Sequence, residues 1–377
     1  MHLNELTRYG IPSRILDAWQ ERQGGVLLPI QSRAVQHGLL GNVVEGGRPA
    51  NLLLSAPTSS GKSFCAELAA IRALMNRQKA ILLFPLKSLA EEKYRLLQNT
   101  YSNLGIKSLI ATSDHPENDA AFRAGRFDIA VAIPEKFDLL LTEHLDTLAN
   151  IGLVTVDEIQ MIGEPGRGAV LERLLTKVIA SRYDPVLLAL SAVLGDCAVE
   201  PLADWLGASL VEETMRPRDL LCGVVAERRF RFRSFNHGGD GEESFCEFDL
   251  ADEKTASILA GQISGDGGST LLFLKSRSDA VNLALRLASS GHWPPAEKAL
   301  QELADEEPSF LLQSLSQSLR HGVAFHSSDL SGRQRVIIGQ AFITQEIRAL
   351  CSTTTLALGV NLPADTVYLE TVKYSSG

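Results

Sequence analysis

The 377-residue chain carries 36 lysines and arginines against 45 aspartates and glutamates, a net charge of −9, and 45% of its residues are apolar. At one domain per roughly 100–200 residues, this length predicts two globular domains, each large enough to bury a core. The acidic balance argues against a broad basic surface. Any nucleic-acid binding is therefore expected to be confined to a groove and sensitive to salt.

The five cysteines are far apart in the sequence, with no CxxC pair and no histidine at ligand spacing. This pattern favours neither a disulfide framework nor a structural zinc site, and it is typical of a reducing cytosol. No apolar run reaches the roughly 18–20 residues of a membrane span, and the start of the chain lacks the features of a signal peptide. We therefore expect a cytoplasmic or nucleoid-associated protein with no membrane partner.

Six short apolar runs of the kind found in buried parallel strands occur in the first half of the chain. They lie at 51–55, 80–84, 107–111, 128–133, 151–156 and 186–191. Segments with helical spacing separate most of them, as at 86–99, 135–148 and 168–181. This alternation predicts an α/β domain with a parallel sheet whose carboxyl ends carry the ligand.

A weaker α/β pattern follows in the second half. Its predicted strands are at 269–274, 322–325, 347–351 and 366–370, and its predicted helices are at 278–289 and 331–343, with a helical excursion over 293–320. Between the halves, Met215–Arg218 and the Gly-rich, acidic loop Asn236–Glu243 are typical of a connection. We therefore expect an N-terminal helical segment at 1–30, a first domain at 31–213 and a second domain at 214–377.

The run from Arg228 to Arg233 alternates arginine and phenylalanine at the period of a strand. Two interpretations are open for Arg229, Arg231 and Arg233, which share one face. They bind phosphates, or they form the solvated face of a half-buried strand at the domain junction. The second interpretation is favoured.

The sharpest local signal is Ala56-Pro57-Thr58-Ser59-Ser60-Gly61-Lys62-Ser63, between the first predicted strand and a predicted helix. A tight turn there directs backbone N–H groups and the positive end of the helix toward phosphates. We expect Lys62 to reach the β and γ oxygens of a nucleotide and Ser63 to ligate Mg²⁺. Ala56 stands where the pattern usually begins with glycine, but the flanking strand and helix favour a phosphate loop over an ordinary turn.

Asp157-Glu158-Ile159-Gln160 closes the predicted strand at 151–156. A carboxylate at a strand end beside a phosphate loop is typical of a Mg²⁺ ligand, and a second carboxylate can orient and deprotonate the attacking water. By itself an Asp-Glu pair is most often a solvated strand end, but its position downstream of a phosphate loop reverses that interpretation. We therefore expect Asp157 to hold the metal and Glu158 to act as the base.

With these two elements in place, the sequence resembles the superfamily-two DExH-box helicases, and most closely their Ski-like group, which includes archaeal repair helicases, the helicase part of polymerase theta and RNA-exosome helicases. In the first half the strings that resemble the family motifs are Leu28–Gln31, Phe84–Lys93, Thr112–Asp114, Asp128–Lys136, Asp157–Gln160 with an extension to Glu172, and Ser191–Val193. In the second half they are Leu272–Arg277, Gly322–His326 and Thr353–Pro363. The strings cover nearly the whole chain in the family's order.

The resemblance implies two RecA-like parallel-sheet domains in tandem, with ATP and Mg²⁺ between them and a nucleic-acid strand across both. It implies that Gln31 reads the adenine, that Gly359 joins the phosphate loop in binding nucleotide, that Gln160 assists catalysis, and that Ser191 couples hydrolysis to the strand. The candidates for contact with strand phosphates are Lys87, Lys136, Thr353 and Thr355.

The sequence departs from the family pattern at several points. Gln160 stands where the group usually has histidine, so this position can form hydrogen bonds but cannot titrate. Ile133 replaces a small hydroxyl residue, and Ser327-Ser328-Asp329 follows His326 where the group has His-Ala-Gly. The sequence also stops before the arginine-rich motif VI, so the second domain is expected to be incomplete. We expect this chain by itself to be a poor ATPase that does not unwind duplex.

Together these features predict the motor core of an ATP-dependent helicase or translocase that acts on single-stranded nucleic acid. DNA is favoured over RNA as the substrate, and the expected process is DNA repair or anti-phage defence. The identity of any partner subunits stays open. The alternative is an ATP-gated nucleic-acid-binding or interaction subunit without efficient turnover. A small-molecule kinase is disfavoured because it explains nothing after residue 200.

Overall fold

The computed structural model describes residues 1–41, 48–192, 196–226, 229–244, 268–289, 293–353 and 362–370. The chain divides into two compact units, one formed by Met1–Leu220 with Ser234–Gly238 and the other by Leu221–Arg233 with Gly239–Gly377. Each unit contains a parallel β-sheet with helices packed against it. This confirms the prediction of two α/β parallel-sheet domains in tandem.

The first unit is built on a seven-stranded sheet in the order β3-β4-β2-β5-β6-β1-β7. Its strands are β1 (Leu52–Ser55), β2 (Lys79–Leu83), β3 (Ser108–Ala111), β4 (Ile129–Ala132), β5 (Ile151–Val156), β6 (Val186–Ser191) and β7 (Ser209–Glu212). Its helices are α1 (Ser13–Gln23), α2 (Pro29–Gln36), α3 (Lys62–Met75), α4 (Lys87–Tyr101), α5 (Asp119–Arg123), α6 (Pro134–Glu143), α7 (Arg167–Ile179) and α8 (Asp196–Leu206). The pairings between these strands are parallel.

The sheet separates two hydrophobic cores because successive side chains of a strand point to opposite faces. Leu52 and Leu54 of β1 lie in the core that contains α3, whereas Leu53 lies in the core that contains α7. A strand buried on both faces needs apolar residues at every position. The continuous apolar runs of the sequence therefore predicted β1 to β6 to within one residue at every end.

The N-terminal segment packs onto the first of these two cores. Leu3 and Leu6 of a 3₁₀ turn are buried there with Ile15 and Trp19 of α1. The Trp19 ring meets that of Phe64, on α3, edge to face at a centroid distance of 5.2 Å. The segment thus supports the helix that follows the phosphate loop.

The parallel order places the predicted site residues that follow strands of this unit at one edge of the sheet, the edge where the strands end. The phosphate loop follows β1, the DEIQ string follows β5, and Ser191 ends β6; these three strands are neighbours. Lys87 follows β2 and Lys136 follows β4, which lie side by side on the other half of the sheet. The edge therefore has a nucleotide half and a lysine half.

The second unit begins with an antiparallel sheet of β8 (Leu221–Ala226), β9 (Arg229–Ser234) and β10 (Asp240–Ser244), in the order β10-β9-β8. The expectation of a connecting loop over Asn236–Glu243 is wrong for its second half, which belongs to β10. Glu242 forms ion pairs with Arg229 and Arg231 across the sheet. These arginines are well exposed, as the solvated-face interpretation of this strand predicts.

A four-stranded parallel sheet forms the rest of this unit, in the order β12-β13-β11-β14. Its strands are β11 (Thr270–Phe273), β12 (Val323–His326), β13 (Ala349–Ser352) and β14 (Thr366–Leu369). The helices are α9 (Arg277–Ser289), α10 (Glu297–Leu303), α11 (Phe310–Leu319) and α12 (Gly332–Ile343). The strands and helices predicted for this half, and the helical excursion over 293–320, are confirmed.

Candidate functional site

The phosphate loop, residues 56–61, joins β1 to α3. The backbone is left-handed at Ser59 (φ 65°) and at Gly61 (φ 89°), which turns successive N–H groups toward one side of the loop. The positive φ at Gly61 favours glycine, and a Cβ there would lie 2.4 Å from Nε2 of Gln31 and force that side chain to move. The Ser60 hydroxyl is buried and has no hydrogen-bond partner among the described residues. A polar atom left in this state favours a ligand that supplies the missing contact.

Lys62 is the first residue of α3 and is only 8% exposed. Its Nζ donates to the carbonyl oxygens of Ala56 at 2.5 Å and Pro57 at 2.9 Å. Burial lowers the pKa of Lys62, and the nearby carboxylates of Glu158 and Asp157 oppose that shift. The ammonium is thus held inside the loop by neutral oxygens that an anionic phosphate can replace.

Asp157 and Glu158 follow directly after β5. The Asp157 amide donates to the carbonyl of Leu83 at 2.9 Å, which extends the pairing of β5 with β2 by one residue. Burial and the negative charge of Glu158 together raise the pKa of Asp157 to about 6. Two carboxylates crowded at a buried strand end repel each other, and a divalent cation relieves that repulsion.

Glu158, Gln160 and Ser191 form a chain of hydrogen bonds. Nε2 of Gln160 donates to the Glu158 carboxylate, and the Ser191 hydroxyl donates to Oε1 of Gln160 at 2.8 Å. Glu158 has left-handed backbone angles (φ 53°), an uncommon conformation for a residue other than glycine. The glutamine therefore connects the predicted base to the end of β6, and it does so without a titratable group.

Gln31 lies on α2 and is almost completely buried. Its Oε1 accepts from the Leu28 amide at 2.9 Å, and its Nε2 donates to the Gly61 carbonyl at 3.0 Å. The structure therefore brings the predicted adenine-reading residue against the phosphate loop itself. Both ends of its amide already have partners.

The predicted strand-binding residues lie in different places. Lys87 begins α4 and Lys136 lies in the first turn of α6, and each forms an ion pair with an aspartate. Thr353 is a buried residue next to the end of β13 in the second unit. Thr355 and Gly359 fall outside the residues that the structure describes.

Arg167 is a residue of this edge to which sequence reasoning assigned no role beyond its motif. It begins α7, donates through Nε to Glu135 on α6 at 3.0 Å, and donates through Nη2 to the carbonyl of Pro85 just before α4. It therefore ties together the starts of the two lysine-bearing helices. Because its partners are 32 and 82 residues away, no local pattern predicts these contacts.

A buried charge cluster behind the phosphate loop was also missed. Glu67 of α3 is 2% exposed and accepts from Lys93 at 2.6 Å, Arg22 at 2.5 Å and the Tyr101 hydroxyl at 3.0 Å. Despite the cost of burial, these cations lower the pKa of Glu67. Its only sequence signal was a glutamate at an apolar position of a helix. The cluster joins α1, α3 and α4.

In the second unit, His326 ends β12 and is 7% exposed. Its Nδ1 is buried and has no hydrogen-bond partner among the described residues. Burial, together with the positive charge of Arg335, lowers the pKa of His326 to about 4. The imidazole is therefore neutral at physiological pH.

The seven-stranded parallel sheet, the phosphate loop and the paired carboxylates define the P-loop nucleoside triphosphatases. Residues 28–200 match the family described as DEAD/DEAH box helicase. Over this range the chain is similar to the superfamily-two helicases, and along nearly its whole length it is related to the DNA helicases described next.

Three curated relatives are each described as "ATP-dependent DNA helicase Hel308". The protein of Caldivirga maquilingensis is 33% identical over 100% of this chain and 48% of its own length. That of Pyrobaculum calidifontis is 34% identical over 96% of this chain and 49% of its own length. That of Methanocella arvoryzae is 32% identical over 98% of this chain and 49% of its own length. This chain thus spans about half the length of these relatives.

Among the described residues, no helix has the length and apolarity needed to cross a bilayer.

Proposed function

We propose that this chain is the ATP-binding motor region of a DNA helicase or translocase. The observation that carries the proposal is the convergence of Lys62, Asp157, Glu158 and Gln160 at the ends of neighbouring strands. The description of the relatives as ATP-dependent DNA helicases supports DNA over RNA as the substrate. Action on single strands, in DNA repair or anti-phage defence, stays a prediction.

The triphosphate binds the phosphate loop by replacing neutral partners with charged ones. In the structure, Lys62 donates to two backbone carbonyls of the loop. Oxygens of the β and γ phosphates take their place and form stronger, charge-assisted hydrogen bonds. Little rearrangement is needed, because the lysine is buried in the loop already.

The residues at the site fit a magnesium ion. Asp157 is a half-buried carboxylate whose pKa is raised by its loss of solvent and by Glu158, so a nearby cation stabilises its charged form. Ser63 is an exposed hydroxyl in the first turn of α3, beside Lys62. When bound there, Mg²⁺ neutralises charge on the β and γ oxygens.

Hydrolysis requires a base near the γ phosphate. Glu158 accepts a proton from water as the water oxygen bonds to the γ phosphorus, and the bond from that phosphorus to the β–γ bridging oxygen breaks, leaving ADP. Gln160 holds the Glu158 carboxylate, and Ser191 holds Gln160. The hydrogen bonds thus restrict the base to one position.

The test separates binding from turnover with Glu158→Gln, which keeps the size of the side chain and removes the base. We expect the 377-residue chain to bind a fluorescent ATP analogue as tightly with the substitution as without it. ATP hydrolysis stimulated by single-stranded DNA should fall by roughly 10² or more relative to the parent. Glu143→Gln, an exposed residue of α6, is the matched control and should hydrolyse ATP like the parent.

Parental turnover by the Glu158→Gln protein would show that Glu158 is not the base. Asp157→Asn should, in addition, weaken the dependence on Mg²⁺. A parent protein that binds both ATP and DNA yet never turns over would favour the alternative of an ATP-gated binding subunit.

A further inference from the structure

Both lysines on the lysine half of the sheet edge are held by aspartates from one segment. Nζ of Lys87 donates to Oδ1 of Asp114 at 2.6 Å, and Nζ of Lys136 donates to Oδ2 of Asp119 at 2.6 Å. The aspartates come from Ser113–Asp119, which we call the acidic segment; it follows β3, the strand that pairs with β4. The carboxylates thus lie where an anionic ligand of the lysines would lie.

The two ion pairs differ in their exposure to solvent. The side chains of Lys87 and Asp114 are 44% and 60% exposed, whereas those of Lys136 and Asp119 are 11% and 20% exposed. Oδ1 of Asp119 is buried as well. An exposed pair is weak and easily exchanged, but separating a largely buried pair leaves a charge with neither its partner nor full contact with solvent. Only Lys87 is therefore available to an incoming ligand at low cost.

The acidic segment is fastened to α4 at a second point. The His115 ring contacts Glu91 through Nε2 and Glu117 through Nδ1 at 2.9 Å. Glu91 lies four residues after Lys87, so both contacts are on the same face of α4. Exchange of the Asp114 carboxylate therefore does not require the whole segment to leave the helix.

We propose that the Asp114 carboxylate pairs with Lys87 where a DNA phosphate would otherwise bind, and that binding of the DNA strand displaces this carboxylate. This inference rests on the proposed function and names the residue that limits strand affinity at Lys87. Lys136 is already paired with Asp119. It is then a positioning residue that fixes the start of α6 and does not contact a phosphate.

The chemistry favours this exchange. Lys87 is the first residue of a 15-residue helix, where the helix dipole adds to the lysine charge and favours an anion. A carboxylate and a phosphate both satisfy this position, but a nucleic-acid strand brings several linked phosphates and releases counterions when it binds. Asp114 offers one carboxylate in an exposed pair, so it weakens strand binding without preventing it.

The test is the equilibrium binding of a fluorescein-labelled oligo-dT to the 377-residue chain at several salt concentrations. Asp114→Asn should bind roughly two- to fivefold more tightly than the parent, because the competitor for Lys87 is gone. Its affinity should also fall more steeply with salt. The slope of the logarithm of the binding constant against the logarithm of the salt concentration should steepen by up to about 0.7, which is the value for one phosphate of a single strand. Lys87→Ala and the double variant Lys87→Ala/Asp114→Asn should bind weakly and alike.

One control variant removes a negative charge from elsewhere near this edge. Glu92→Gln, at an exposed position of α4, should bind DNA like the parent, since general charge removal is not the cause. An equal gain in this control, or a gain from Asp114→Asn that persists without Lys87, would overturn the inference. If the parent binds DNA and Asp114→Asn binds it with the same affinity, this inference alone is overturned. Failure of every chain to bind DNA overturns the strand part of the proposed function too.

Discussion

Ser191 donates its hydroxyl hydrogen to Oε1 of Gln160 at 2.8 Å, and Gln160 donates in turn to the carboxylate of Glu158. The glutamine amide is fixed by its two neighbours in one orientation, with the oxygen toward β6 and the nitrogen toward the base. The histidine usual at this position in the helicase group also provides a donor, but it gains and loses a proton near neutral pH. Gln160 keeps the donor and removes that dependence.

We expect Gln160→Ala to slow ATP hydrolysis roughly tenfold to a hundredfold, because the base loses the contact that positions it. Nucleotide affinity should stay within about twofold, since Gln160 is not part of the phosphate loop. Steady-state kinetics with a parallel binding titration measure both quantities. Ser191→Ala should lower kcat by less, and Gln160→His should recover part of the loss. Parental kcat in Gln160→Ala would contradict a positioning role.

Lys62→Ala should reduce nucleotide affinity by well over tenfold, because a buried ammonium held inside the loop is removed. The measurement is a titration of the 377-residue chain with a fluorescent ATP analogue. Lys107→Ala, which removes an exposed lysine before β3 at the opposite edge of the sheet, is the control and should leave the affinity as it is. An unchanged dissociation constant for Lys62→Ala would exclude the loop as the nucleotide site.

The buried cluster around Glu67 predicts a large effect on stability. Glu67→Ala leaves Lys93 without its carboxylate in the interior, so the free energy of unfolding should fall by roughly 3–5 kcal/mol. Urea titrations followed by circular dichroism measure the change. Breaking the half-exposed pair of Arg123 and Glu143 with Glu143→Gln should cost less than about 1 kcal/mol. Similar losses in the two variants would mean that the cluster contributes no more than a surface pair.

The sequence alone was sufficient to predict the central strands and the local motifs. A strand buried on both faces, such as β5, must be apolar throughout, and a phosphate loop is contiguous in sequence. The edge strand β7 was missed because only one of its four residues is buried. Strand β10 was missed because its Asp-Gly-Glu-Glu sequence disfavours strands; its pairing with the arginines of β9 stabilises it.

Contacts between distant residues were beyond the reach of sequence patterns. The bond from Ser191 to Gln160 joins residues 31 apart, and that from Lys87 to Asp114 joins residues 27 apart. Lys87 and Lys136 were both predicted to contact the nucleic-acid strand because of their positions in the family motifs. Their different exposure depends on how α5 packs beside α6, which no local spacing encodes.

His326 predicts that the second unit is sensitive to acid. In the folded protein the pKa of this histidine is about 4, against an ordinary value of 6.5, because the ring is buried near Arg335. Between these two pH values the unfolded chain binds a proton that the folded chain does not, so stability rises with pH across this range. Lowering the pH from 7 to 4.5 should therefore cost the parent roughly 2–3 kcal/mol through this one group.

His326→Gln removes the titration but keeps a polar side chain, so the variant should lose less stability than the parent over the same pH range. Urea titrations at pH 7.0, 6.0, 5.0 and 4.5 give the two pH profiles, and their difference isolates the histidine. His321→Gln, a half-buried histidine of the same unit, is the control and should follow the parent. If His326→Gln also follows the parent down to pH 4.5, the folded protein must accept the proton at this position, and the ring is not held neutral.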